Sequence, residues 1–133
     1  MKRILSWLPV VIWFGFISLL SSIPGKTITS IALSSDFLLF WGHRIAHLGE
    51  YGVLGCLVIR AYSKETIKVT VVTIIILAMF IFLCGAFDEW HQSFVPGRTP
   101  DLLDALFDTV CGTFGMLMYK LFVLNKRYGT LLK

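Results

Sequence analysis

Four apolar runs, each about as long as a bilayer is thick, constrain this chain more than any other feature. A helix needs about 20 mostly apolar residues to cross ~30 Å of hydrocarbon. Residues 4–23, 37–62, 69–87 and 102–124 each reach that length. The run at 69–87 is the most apolar. The one at 37–62 is diluted by His43, Arg44, His47 and Glu50, and the last is interrupted by Asp104 and Asp108. Backbone groups in lipid must be satisfied within the protein, and these lengths suit helices rather than barrel strands of about 10 residues. The expected fold is an all-α membrane protein, a four-transmembrane-helix bundle made by a single domain over residues 1–133.

Composition narrows the function classes. The chain is 56% hydrophobic and 15% charged, against about 45–50% and about 25% in soluble domains. A soluble enzyme and a disordered tail are both poor fits. The net charge of +4 marks a membrane face rather than a nucleic-acid footprint. Cys56, Cys84 and Cys111 lie inside apolar runs, where thiols act as small hydrophobes. The first run is longer than the 7–15 residues usual in a secretory h-region, so it reads as a retained helix in spite of the small residues Ser21 and Ser22.

Between the runs lie a Ser/Thr-rich connection at 24–36, a short polar turn at 63–68, the polar stretch DEWHQSFVPGRTPD at 88–101 and a basic tail at 125–133. Pro96, Gly97 and Pro100 break any helix in the third connection. Lys and Arg distribute unevenly: with alternating spans, nine fall on the side of the termini, leaving Lys26, Arg44 and Arg98 on the other. The positive-inside rule then puts both termini in the cytoplasm. Seven of the eight acids, all but Glu65, belong to the outer half. Trp41 and Trp90 fit the outer interface and Trp7 the inner one.

Ionisable side chains are costly in a bilayer and usually face a bundle interior or cavity. His43, His47, Glu50 and Leu54 fall at i, i+4, i+7 and i+11, one face of the second helix, with Tyr51 at its border. Asp101, Asp104, Asp108, Gly112 and Gly115 make a similar stripe on the fourth, and Asp88, Glu89 and Gln92 close the third. All three groups start at the outer side, so they are expected to converge on one outward-facing polar cup. Arg98 can fold over it, pairing with the acids or gripping an anionic ligand in bidentate fashion. Gly112 and Gly115 allow close approach of a neighbouring backbone.

The segments HRIAHLGEYGVLG (43–55), DEWHQSFVPGR (88–98) and DLLDALFDTVCGTFG (101–115) resemble, in order and spacing, the signature segments of the VanZ-like family. The resemblance implies a small multi-pass protein near the cell envelope, in the plasma membrane of a Gram-positive bacterium. It also implies a link to teicoplanin-type glycopeptide resistance. By matching position, the family's polar residues are His47, Tyr51, Glu89, Gln92, Arg98, Asp101, Asp104, Gly112 and Gly115. Where many members carry Asn one turn after the aspartate, this chain has Asp108, which leaves a fixed hydrogen-bond role there open. The resemblance supplies no reaction.

Several chemistries fit these residues. For acid–base work on a lipid-linked or peptidoglycan-related substrate, Glu89 would be the acid or base and Arg98 the anion holder. His47, Asp101 and Asp104 would orient. His43, Glu50, Tyr51, Asp88, Gln92 and Asp108 would complete the binding surface. The same cup can instead hold a glycopeptide or wall-precursor headgroup without catalysis. His43, His47 and His91 with nearby carboxylates offer ligands for Zn²⁺, but no H-E-x-x-H motif is present, so metal and cofactor stay unassigned. Proton-coupled transport ranks last, because four short helices leave little room for alternating access without a homodimer. Finally, buried acids and bases can simply tie helices together.

Overall fold

The computed structural model describes residues 2–27, 36–65, 69–124 and 126. Most of the first connection, Lys68 and nearly all of the basic tail lie outside the described residues. Among them helices are the only regular elements and there is no strand. Its elements are α1 (Lys2–Ser21), α2 (Asp36–Glu65), α3 (Val71–Gln92) and α4 (Leu102–Tyr119), the last continued by one π-turn over Lys120–Leu124.

Local chemistry sets the boundaries. Pro9 has no N–H to give within α1, a loss that membrane helices tolerate. Ser22 closes α1 by bonding back to the Ser18 carbonyl through both its N–H and its hydroxyl, and Pro24 follows. Thr70 caps α3 in a reciprocal box with Thr73. Asp101 caps α4, its side chain accepting from the Leu103 N–H at 2.9 Å. The third helix runs past Phe87 to Gln92, so Asp88 and Glu89 are helical residues. Gly97, at φ +76°, takes the left-handed turn that separates α3 from α4.

Among the described residues three segments are long and apolar enough to cross a membrane: Ile4–Ser21, Val71–Gln92 and Leu102–Val123. The second helix is the longest, at 30 residues or ~45 Å, yet its charged first half keeps it outside that set. On α3 the buried positions form one stripe, Thr73, Leu77, Ile81, Cys84, Gly85, Asp88, Glu89 and Gln92. Large apolar residues such as Val71, Ile75, Ile76, Met79, Leu83 and Phe87 point outward. Apolar side chains facing away from the bundle are what a lipid solvent requires.

Helices α2 and α4 run in the same direction, since His43 meets Asp104, His47 meets Asp108 and Cys56 meets the Gly115 carbonyl in that order along both. Below the polar pairs the two backbones touch. A Cβ on Gly55 would strike the Gly112 carbonyl, and one on Gly115 would strike the Gly52 carbonyl. Two Gly–x–x–Gly steps therefore seat against each other, the close packing that small residues permit in membranes. Helices α1 and α3 are likewise parallel, with Trp7 against Phe80, Phe14 against Phe87 and Ser21 against Asp88. The centre is filled by Ile17, Leu54, Val58, Ile59, Ile81 and Met116.

Candidate functional site

At one end of the bundle lie the end of α1, the first half of α2, the end of α3 and the start of α4. Every acidic side chain described belongs to this end. The groups sort into three clusters by their partners.

Between α2 and α4 stands a ladder of two rungs. His47 Nδ1 lies 2.6 Å from Asp108 Oδ1, with almost nothing of either side chain exposed. One turn outward, Asp104 takes the Arg44 guanidinium on Oδ1 at 2.6 Å and His43 Nε2 on Oδ2 at 3.1 Å. The outer rung is partly exposed, and the Arg44 guanidinium also sits over the Phe107 ring. The rings of His43 and His47 are tilted at 58° with centres 4.2 Å apart, and the Tyr51 ring lies nearly parallel to that of His47 at 6.1 Å.

Between α1 and α3, Asp88 Oδ2 accepts from Ser21 Oγ at 2.7 Å and from Gln92 Nε2 at 2.9 Å. Both Asp88 and Gln92 are buried. Ser22 Oγ meets His91 Nε2 at 3.0 Å on the outside of this cluster. Between α3 and α4, Glu89 Oε2 accepts the Asp101 N–H at 2.7 Å. Glu89 thus fixes the start of α4, where a carboxylate also complements the exposed N–H groups.

Arg98 does not close over the acids by an ion pair among the described residues. Its Nε donates to the Ile23 carbonyl at 3.1 Å. That bond, with Gly25 N–H to the Pro96 carbonyl at 3.2 Å, docks the end of α1 onto the α3–α4 connection. Glu50 is half-buried below His47, within electrostatic reach of His47, Asp88, Asp108 and Arg98. Its carbonyl also holds α1 through Trp13 Nε1 at 2.8 Å. Among the described residues no group of three or more His, Cys, Asp or Glu is placed to hold a metal ion.

Two participants escaped sequence reasoning. Arg44 counts in sequence only as a cation on the outer side, yet it makes the shortest contact to Asp104. Ser21 reads as a small residue near a helix end, yet it is a buried donor to Asp88. Nothing in either position's local pattern names its partner, which comes from a different helix. Three buried oxygens have no hydrogen-bond partner among the described residues: Tyr51 Oη, Asp88 Oδ1 and Asp108 Oδ2.

Chemically, the inner rung is the most distinctive feature. A buried imidazole held by a carboxylate has a fixed orientation and can take up or release a proton at its second nitrogen. No curated protein and no solved structure matches the chain. A family model described as VanZ/LLP1 matches residues 5–123.

Proposed function

The chain belongs to the VanZ-like family, and on that footing we propose that it acts in the cell envelope through its buried His47–Asp108 pair, doing acid–base chemistry on a lipid-linked or wall-precursor substrate. The observation that carries this reading is the 2.6 Å contact between the two side chains in an almost wholly buried setting. Asp108 orients the imidazole through Nδ1, which leaves Nε2 to exchange a proton with a substrate hydroxyl or amine. Placing the dyad between two helices locked by glycines gives it a rigid frame. Glu89 then positions the α4 start, which carries Asp104 and Asp108, and Arg98 braces the rim.

In this reading all four helices cross the plasma membrane of a Gram-positive cell, with both termini in the cytoplasm and the polar end outward. The Lys and Arg distribution supports that orientation, and so does the gathering of His, Asp and Glu at one end of the bundle. The charged face of α2 is turned toward α4, so the helix can cross although its composition is diluted. A glycopeptide-protection phenotype, of the teicoplanin type, is the expected cellular consequence.

A second reading is supported by the outer rung. His43 and Arg44 are about one-third exposed, at 35% and 30% of their side chains, and flank Asp104 as a polar rim, with Arg44 as its cation, for an anionic headgroup. That surface would bind without catalysis.

Teicoplanin susceptibility of a sensitive Gram-positive host separates the two. Strains carry wild type, Asp108→Asn, Arg44→Gln or empty vector, with membrane levels matched. Protection lost with Asp108→Asn and largely kept with Arg44→Gln supports the acid–base reading. The reverse pattern supports headgroup binding, and equal protection by every variant removes both.

A further inference from the structure

Three orphaned oxygens from three helices are buried in the bundle. Tyr51 Oη comes from α2, Asp88 Oδ1 from α3 and Asp108 Oδ2 from α4, and none has a hydrogen-bond partner among the described residues. The three side chains are wholly buried, at 0%, 1% and 0% exposure. Asp108 Oδ2 is directed at α3, 3.3 Å from where a Cβ on Gly85 would stand, and Asp88 lies one turn further along that helix. Tyr51, Asp88 and Asp108 lie within electrostatic reach of each other. Helix α1 joins through Ser21, which bonds the opposite oxygen of Asp88.

Charge is left over at this place. Two wholly buried carboxylates stand here, and the one imidazole that pairs with either among the described residues, that of His47, meets Asp108. Asp88 has hydrogen bonds from Ser21 and Gln92 but no ion pair among the described residues. Buried carboxylate oxygens without a donor are expensive, because their water has been removed and nothing replaces it. A group with positive charge or with hydrogens to give is the natural complement.

We propose that Asp88, Asp108 and Tyr51 form a buried seat for a small monovalent cation, Na⁺ in the first instance. The donors are all oxygens, which suits a hard cation rather than a thiophilic metal. Of the two carboxylates only that of Asp108 has an imidazole partner among the described residues, so one monovalent ion complements the other. A divalent ion would want a further carboxylate, and the described residues offer no such grouping. Because the oxygens belong to α2, α3 and α4, the ion would tie these helices together, and its occupancy would be felt as stability of the whole bundle. Neither the seat nor its test depends on proton transfer by His47.

The full chain is purified in detergent and its thermal unfolding followed at fixed pH and fixed ionic strength, with Na⁺ replaced stepwise by choline. The expected result is a saturable rise in unfolding temperature of about 3 °C or more with Na⁺. Asp88→Asn keeps an acceptor for Ser21 and Gln92 but loses the charge, and should flatten that rise. Tyr51→Phe keeps the packing and loses one oxygen, and should move the Na⁺ midpoint at least about tenfold higher. Should Asp88→Asn fail to fold, Tyr51→Phe carries the comparison. Superimposable Na⁺ and choline curves in the wild type overturn the proposal, as does a Na⁺ response that survives both substitutions. A wild type that answers to pH but not to Na⁺ means a proton fills the seat, and also overturns it.

Discussion

The imidazole of His47 and the carboxylate of Asp108 meet at 2.6 Å across the α2–α4 interface, with 8% of the histidine side chain and none of the aspartate exposed. Just below them the same two helices come into backbone contact at Gly55 and Gly112, and at Gly52 and Gly115. A buried imidazole–carboxylate pair is held there by a junction that admits no side chain.

Each member of that pair shields the other, so removing one should cost more than its share. Asp108→Leu or His47→Leu is expected to lower stability by about 3–5 kcal/mol, because the survivor is left buried and alone. The double replacement should cost less than the sum, with an interaction of about 1–3 kcal/mol. Unfolding in mild detergent measures the cycle, and additive costs would mean the two do not act as a pair.

The glycine junction predicts a contrast between neighbours on one helix. Gly55→Ala drives a methyl into the Gly112 carbonyl, a backbone atom that cannot step aside, and should cost about 1–3 kcal/mol. Gly49→Ala meets nothing within 4 Å and should be neutral or slightly stabilising. Equal effects in the same unfolding assay would show that α2 and α4 are not in backbone contact.

At the start of α4 the roles of two carboxylates can be separated. Asp101→Ala removes the cap on Leu103 and should cost about 1 kcal/mol. Glu89→Gln keeps an oxygen for the Asp101 N–H and should retain the fold, whereas Glu89→Leu strands that donor and should cost about 1–3 kcal/mol. A Glu89→Gln protein as unstable as Glu89→Leu would mean that charge, rather than the hydrogen bond, anchors this helix.

Much of this was legible before any coordinates. The i, i+4 spacing of His43 with His47, and of Asp104 with Asp108, puts each pair on one face. Two such stripes on parallel helices can form a ladder. What periodicity cannot specify is the partner. The Arg98 bond to the Ile23 carbonyl and the Ser21 bond to Asp88 join residues 75 and 67 positions apart, and only the packing of α1 on the far connection brings them together. Glu89 shows the same limit: nothing in its sequence neighbourhood says that its carboxylate accepts the Asp101 N–H at the start of α4. The end of α3 is marked by its polar positions alone, since apolarity stops at Phe87 while the helix continues through Asp88 and Glu89 to Gln92.

Orientation has a direct assay. In a background with Cys56, Cys84 and Cys111 replaced, Ser93→Cys and Lys64→Cys each place one thiol on an exposed position at opposite ends of the bundle. A membrane-impermeant maleimide should label Ser93→Cys in intact cells and Lys64→Cys only after permeabilisation. The opposite pattern would invert the topology and put the polar end in the cytoplasm.

The most direct measurement of the central claim is the pool of lipid-linked wall precursors, compared by mass spectrometry in cells expressing wild type, Asp108→Asn or empty vector at matched membrane levels. Acid–base chemistry at the His47–Asp108 pair predicts a precursor changed in mass, or depleted, in the wild type alone. Identical pools in all three strains would contradict it.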